Sequence, residues 1–149
     1  MRALRYLAAM FGGLFLLLVA PSGCYIDWTD DGWPWWTDNW SPTVVDGDAG
    51  CVWDVSTHRD VWYFEAWVDD PDGLGDIWAV DANVYDDWHG GGLVDSFELR
   101  PTYDRSDWYE EVPALSTNLD CGYHGYSVDL VAWDSYDDYD ILTVYPATY

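Results

Sequence analysis

Two short runs of aspartate carry the densest potential chemistry in this 149-residue chain. Asp69, Asp70, Asp72 and Asp76 crowd one segment, and Asp134, Asp137, Asp138 and Asp140 crowd another. Carboxylates at this density repel one another unless water or a cation neutralises them. Calcium takes roughly six to eight oxygen ligands from flexible carboxylates and carbonyls, and extracellular sites hold it weakly, with Kd of about 10⁻⁴–10⁻³ M. The eight aspartates are therefore candidate calcium ligands, and the Asp72-Gly73 turn could aim backbone carbonyls at the same ion. Neither run matches the spaced EF-hand pattern D-x-[DN]-x-[DN]-G. Aspartate also favours turns, so the same residues read equally as a solvated acidic surface.

Aromatic side chains offer a second chemistry. The chain has twelve tryptophans and twelve tyrosines. Trp53, Trp67, Trp88 and Trp133 fall out of phase with the apolar residues around them or lie in a loop, which makes them candidates to stack on sugars or cradle cations. Outward tryptophans also pack on cross-strand neighbours and merely stiffen a sheet. Trp88, beside His89 and Gly90-Gly91-Gly92, is the one expected to be most exposed. Catalytic signals are poorer. His58, His89 and His124 are scattered, and neither H-E-x-x-H nor G-x-S-x-G occurs. Glu110 and Glu111 are adjacent in an expected strand and so point to opposite faces, a poor arrangement for an acid–base pair. No catalytic residue is assigned.

These groups must be positioned by strands. From Cys51 onward apolar residues recur every second position, the period of half-buried strands. Residues 61–70 put Trp62, Phe64, Ala66 and Val68 on one face, and residues 76–87 put Trp78, Val80, Ala82 and Val84 on one side with Asp81 and Asn83 opposite. Leu93, Phe97 and Leu99 mark a third strand, and residues 108–112 a shorter fourth. Residues 125–134 place Tyr126, Val128, Leu130 and Ala132 inward, with Ser127 and Asp129 outward. Residues 139–145 close the chain with Leu142 and Val144 on one face, and residues 51–55 bring the total to about seven strands. Connections marked by Asp-Gly, Gly-Gly and Pro predict an all-β, antiparallel sandwich.

The N-terminus carries an address. Arg2 and Arg5 precede 14 uncharged residues at 7–20, shorter than the roughly 20 needed to span a bilayer. Ser22-Gly23-Cys24 resembles the end of a bacterial lipoprotein signal, with Pro21 standing where that pattern expects an aliphatic residue. The resemblance implies cleavage before Cys24, acylation of that cysteine, and a lipid-anchored place at the outer membrane or cell surface, since Tyr25 is not the aspartate of inner-membrane retention. Acylated, Cys24 leaves Cys51 and Cys121 as a pair in a compartment where disulfides persist; two separate thiols are the other reading. Residues 24–42 form a Trp/Asp-rich tether with five tryptophans, broken by Gly32, Pro34 and Pro42.

From residue 24 on, three arginines face 28 carboxylates with no lysine, a formal charge of −25. Such a chain repels phosphate backbones, which excludes nucleic acid as a partner. The run WYFEAWVDDPDGLGDIWAVDANVYD resembles the second and third strands of bacterial immunoglobulin-like or fibronectin-like modules, and YSVDLVAWDSYDDYDILTVY is similar to their closing hairpin. The resemblance implies one immunoglobulin-like sandwich over residues 43–149, with both acidic runs emerging at the same end. Cys51 precedes the second strand, so the antibody-type bridge between core strands is not expected. Such folds host many functions. The expected role is a non-catalytic surface lipoprotein, stabilised by calcium, serving adhesion, binding or envelope structure. Its partners would be the membrane, through the lipid, and an envelope protein or carbohydrate. A carbohydrate-binding module using exposed aromatics, or a hydrolase with a carboxylate site, are the alternatives.

Overall fold

The computed structural model describes residues 39–148. The expected signal at 1–23, the expected lipidation at Cys24 and the expected tether up to residue 38 lie outside the described residues. Eight strands follow in order: β1 (Thr43–Asp54), β2 (Arg59–Asp69), β3 (Ile77–Asp86), β4 (Gly92–Glu98), β5 (Arg100–Pro101), β6 (Asp107–Pro113), β7 (Tyr126–Asp134) and β8 (Tyr139–Val144). They form two four-stranded antiparallel sheets, ordered β1-β2-β6-β5 and β4-β3-β7-β8. That is the immunoglobulin strand order, with β4 as an added edge on the second sheet.

Alternation drives the packing. On β2, Trp62, Phe64, Ala66 and Val68 are buried; on β7, Tyr126, Val128, Leu130 and Ala132 are buried. These faces meet between the sheets, where Trp62 lies edge-on to Tyr126 at 5.9 Å and Phe64 stacks on Phe97 at 4.8 Å. Truncating a buried ring of this size typically costs about 3–5 kcal/mol. Gly47 of β1 is required by close approach: a Cβ there would overlap Leu130 Cδ1 and lie 2.9 Å from the Glu65 carbonyl oxygen.

One corner is fixed twice. Tyr126, the first residue of β7, accepts a hydrogen bond from the Asp120 backbone N–H at 3.1 Å. The arrangement is similar to the tyrosine corner described for immunoglobulin-like sandwiches. Cys121, one residue on, is bonded to Cys51 with Cα atoms 5.5 Å apart. The bridge thus ties β1 to the loop before β7.

Several expectations need correction. The first strand begins at Thr43 rather than Cys51, so Cys51 sits well inside β1. Trp78 does not join the inward set. The β3–β7 register shifts between Ile77 and Ala79, and this bulge leaves Trp78 59% exposed while Ile77 fills the core. Leu93 is also exposed, because the β3–β4 register shifts between Val84 and Tyr85, whereas Leu99, just beyond β4, is buried. Ser127 faces outward yet is buried, with its hydroxyl donating to Asp87 Oδ1 at 2.9 Å from the 3₁₀ turn Asp87–His89.

Candidate functional site

The two acidic runs do meet. The β2–β3 and β7–β8 connections lie at one end of the sandwich, and carboxylate oxygens of Asp70, Asp76 and Asp134 lie within 4.8 Å of one another. Asp134 ends β7 and is fully buried; Asp70 follows β2 and is 5% exposed. Like charges about 4 Å apart near a protein surface repel by about 4 kcal/mol, so the cluster is held against its own electrostatics.

Local turn chemistry places each group. Asp70 Oδ1 accepts from the Asp72 N–H at 2.7 Å, and the Gly73 N–H returns to the Asp70 carbonyl at 2.9 Å. Gly73 has φ of 111°, a left-handed conformation that glycine adopts without strain. Asp134 Oδ1 accepts from the Tyr136 and Asp138 N–H groups at 2.8 and 2.9 Å, building the β7–β8 turn around its own carboxylate. Ser135 donates its hydroxyl to Asp76, joining the two turns. Burial pushes the Asp70 carboxyl above its ordinary value, with the Asp76, Asp72 and Asp134 charges adding to the rise against the Asp72 N–H. At Asp134 burial acts in the same direction, but the Asn39 side chain and the two turn N–H groups outweigh it and hold the carboxyl low.

The other five aspartates have different work. Asp72 Oδ2 accepts from the Trp40 N–H at 2.7 Å, and Asp138 Oδ2 from Asn39 Nδ2 at 3.0 Å. Asn39 Nδ2 also donates to Asp134 Oδ2 at 2.7 Å. Asp140 Oδ2 takes the Val44 N–H at 2.9 Å, anchoring the start of β1. Asp69 and Asp137 are exposed, and Asp137 occupies a left-handed turn position with φ of 66°. Asn39 was not foreseen: a lone amide in a low-complexity stretch carries no spacing signal.

The candidate tryptophans do not converge. Trp53 is exposed near the end of β1, and Trp67 lies on the outer face of β2 between Asp46 of β1 and Asp107 of β6. Trp88 is 67% exposed in the 3₁₀ turn, edge-on to Tyr123 at 5.4 Å. Trp133 is half-buried on the outer face of the second sheet, paired across strands with Tyr139, ring centroids 4.7 Å apart. The bulged Trp78 lies beside the Ala79–Trp133 pair, and the neighbouring rows carry Asp81 against Val131 and Asn83 against Asp129. Burial, with the Glu98 charge second, pushes Asp81 above its usual range, opposed by a hydrogen bond from Trp133. An aromatic strip flanked by acceptors thus crosses β3, β7 and β8. Tyr139 and Trp78 were missed in the sequence, Trp78 because alternation hides a bulge.

One histidine does have company. Tyr123 donates to Asp86 Oδ1 at 2.5 Å, and His89 Nδ1 lies 2.9 Å from both Asp86 Oδ2 and the Tyr123 hydroxyl. Asp86 also caps the 3₁₀ turn through the Trp88 and His89 N–H groups. Burial and the bond to Asp86 push Tyr123 up to about 12. These bonds link Tyr123, in the loop before β7, to the 3₁₀ turn that follows β3. No family model, curated protein or solved structure matches the chain.

Proposed function

We propose that the chain is a non-catalytic binding module displayed at the bacterial surface by a lipid on Cys24, and that its outer β3–β7–β8 face takes a neutral saccharide. The observation that carries this reading is the strip of Trp78, Trp133 and Tyr139 beside Asp81, Asn83 and Asp129. Indole and phenol faces stack on the C–H faces of sugar rings, and ionised carboxylates make strong acceptors for hydroxyl donors. With 28 carboxylates against three arginines from residue 24 on, the chain repels anionic polymers and tolerates neutral ones. The Ser22-Gly23-Cys24 segment supports the anchor.

Titration calorimetry of the purified chain against a panel of neutral oligosaccharides tests the reading. Trp133→Ala should weaken binding by about tenfold or more, as loss of a central aromatic anchor does, while Trp53→Ala on the other sheet leaves it unchanged. Equal binding by both variants, or no binding to any neutral saccharide, rejects the proposal.

A further inference from the structure

We propose that Asp70, Asp76 and Asp134 are the protein ligands of one calcium ion that fastens the β2–β3 and β7–β8 connections to each other. The proposal is independent of what the aromatic face binds. Two oxygens sharing a calcium ion at roughly 2.3–2.6 Å stand no more than about 5.2 Å apart. The three carboxylate oxygens, within 4.8 Å of one another, already meet that condition.

The second observation is an orphaned oxygen. Asp70 is 95% buried, its Oδ1 is taken by the Asp72 N–H, and its Oδ2 is buried with no partner. A buried acceptor left unmade is expensive, and beside two further carboxylates a cation is the partner whose charge suits that oxygen. Asp134 is prepared in the complementary way. Its Oδ1 accepts two backbone N–H groups, whereas Oδ2 accepts only Asn39 Nδ2 and keeps a lone pair free. Among the described residues no arginine or histidine forms an ion pair with any of the three; the two ion pairs are His89–Asp86 and Arg100–Glu110.

The donor set selects the ion. All three donors are hard oxygens, without thiolate or imidazole, which disfavours zinc and copper. Magnesium demands near-ideal octahedral geometry and sheds water reluctantly, whereas calcium accepts irregular sets. A cavity of about 460 Å³ adjoins the cluster, lined by Asn39, Asp72, Gly73, Gly75, Asp76 and Tyr136. It gives the ion an entry path and room for waters to complete its shell. Asn39 and Trp40 hydrogen-bond to carboxylates of the same two connections, so the ion would also firm the seat of the chain entering β1.

Two readouts on the purified full-length chain test this. Terbium, a calcium surrogate excited through nearby aromatic rings, should luminesce on binding and be displaced by calcium at about 10⁻⁴–10⁻³ M but not by magnesium at matched ionic strength. Calcium at a large excess over Kd should also raise the Tm by several degrees relative to magnesium. Asp70→Asn should abolish both signals while remaining folded in chelator, because it removes a buried charge without changing shape. Asp137→Asn, an exposed change in the same acidic run, should keep both. Displacement by magnesium at the same concentration, or full calcium response in Asp70→Asn, overturns the assignment.

Discussion

Asp54 shows how much one carboxylate organises here. It closes β1, and its side chain accepts from the Ser56 N–H at 2.8 Å, the Ser56 hydroxyl at 2.7 Å and the Thr57 hydroxyl at 2.5 Å. These bonds lower its pKa from 3.8 to about 2, the Thr57 hydroxyl contributing most and the Ser56 groups next. A carboxyl depressed in the folded state stabilises the fold above its unfolded value and loses that contribution as pH falls through the folded one. The turn should therefore be at full strength above about pH 4 and weaken toward about pH 2. Asp54→Asn, which keeps the shape and removes the charge, should be less stable than the parent near neutrality, with the gap closing in acid. Urea midpoints for both proteins at about pH 6 and about pH 2.5 check this. A gap that persists unchanged in acid would mean that charge is not what the turn uses.

At the scale of elements, the disulfide and the Tyr126–Asp120 bond act on the same loop from different sides. The bridge spans 70 residues of sequence, and the chain-entropy relation assigns a loop of that size about 4 kcal/mol. Replacing Cys51 and Cys121 together by alanine should remove about 2–4 kcal/mol yet leave the sandwich folded, since Trp62, Phe64 and Leu130 still fill the core. Urea unfolding followed by tryptophan fluorescence measures the loss, and an unchanged midpoint would show that the Tyr126–Asp120 bond suffices. The pairing was legible from cysteine count, and β2 and β7 from unbroken alternation. The first half of β1 was not, because Asp46, Gly47 and Asp48 lack strand propensity and are held by the β2 ladder. The acidic site was legible as two loops at one end. Which three of eight aspartates converge was not, since that depends on burial at Asp70 and Asp134 and on turn bonds that spacing does not encode.

For the whole molecule the governing fact is charge. The chain carries 28 carboxylates against five basic residues, and the two ion pairs among the described residues leave the Arg100 and His89 side chains largely in solvent. Exposed pairs of this kind contribute at most about 1 kcal/mol. Self-repulsion, unlike a paired surface, is relieved by screening. Raising sodium chloride from about 0.01 to about 0.1 M shortens the screening length from roughly 30 to roughly 10 Å, less than the span of the domain. The Tm should therefore rise across this interval, and a fold held by surface ion pairs would instead soften. The rise should be the same in kind for the parent and for Asp70→Asn, because monovalent salt acts on the summed field rather than on one site. Scanning calorimetry of the two proteins over the salt series, without divalent ions, decides the matter. A flat or falling Tm would mean that the carboxylates are too well solvated to repel one another, and the case for a cation would then rest on Asp70 and Asp134, the buried carboxylates among the described residues.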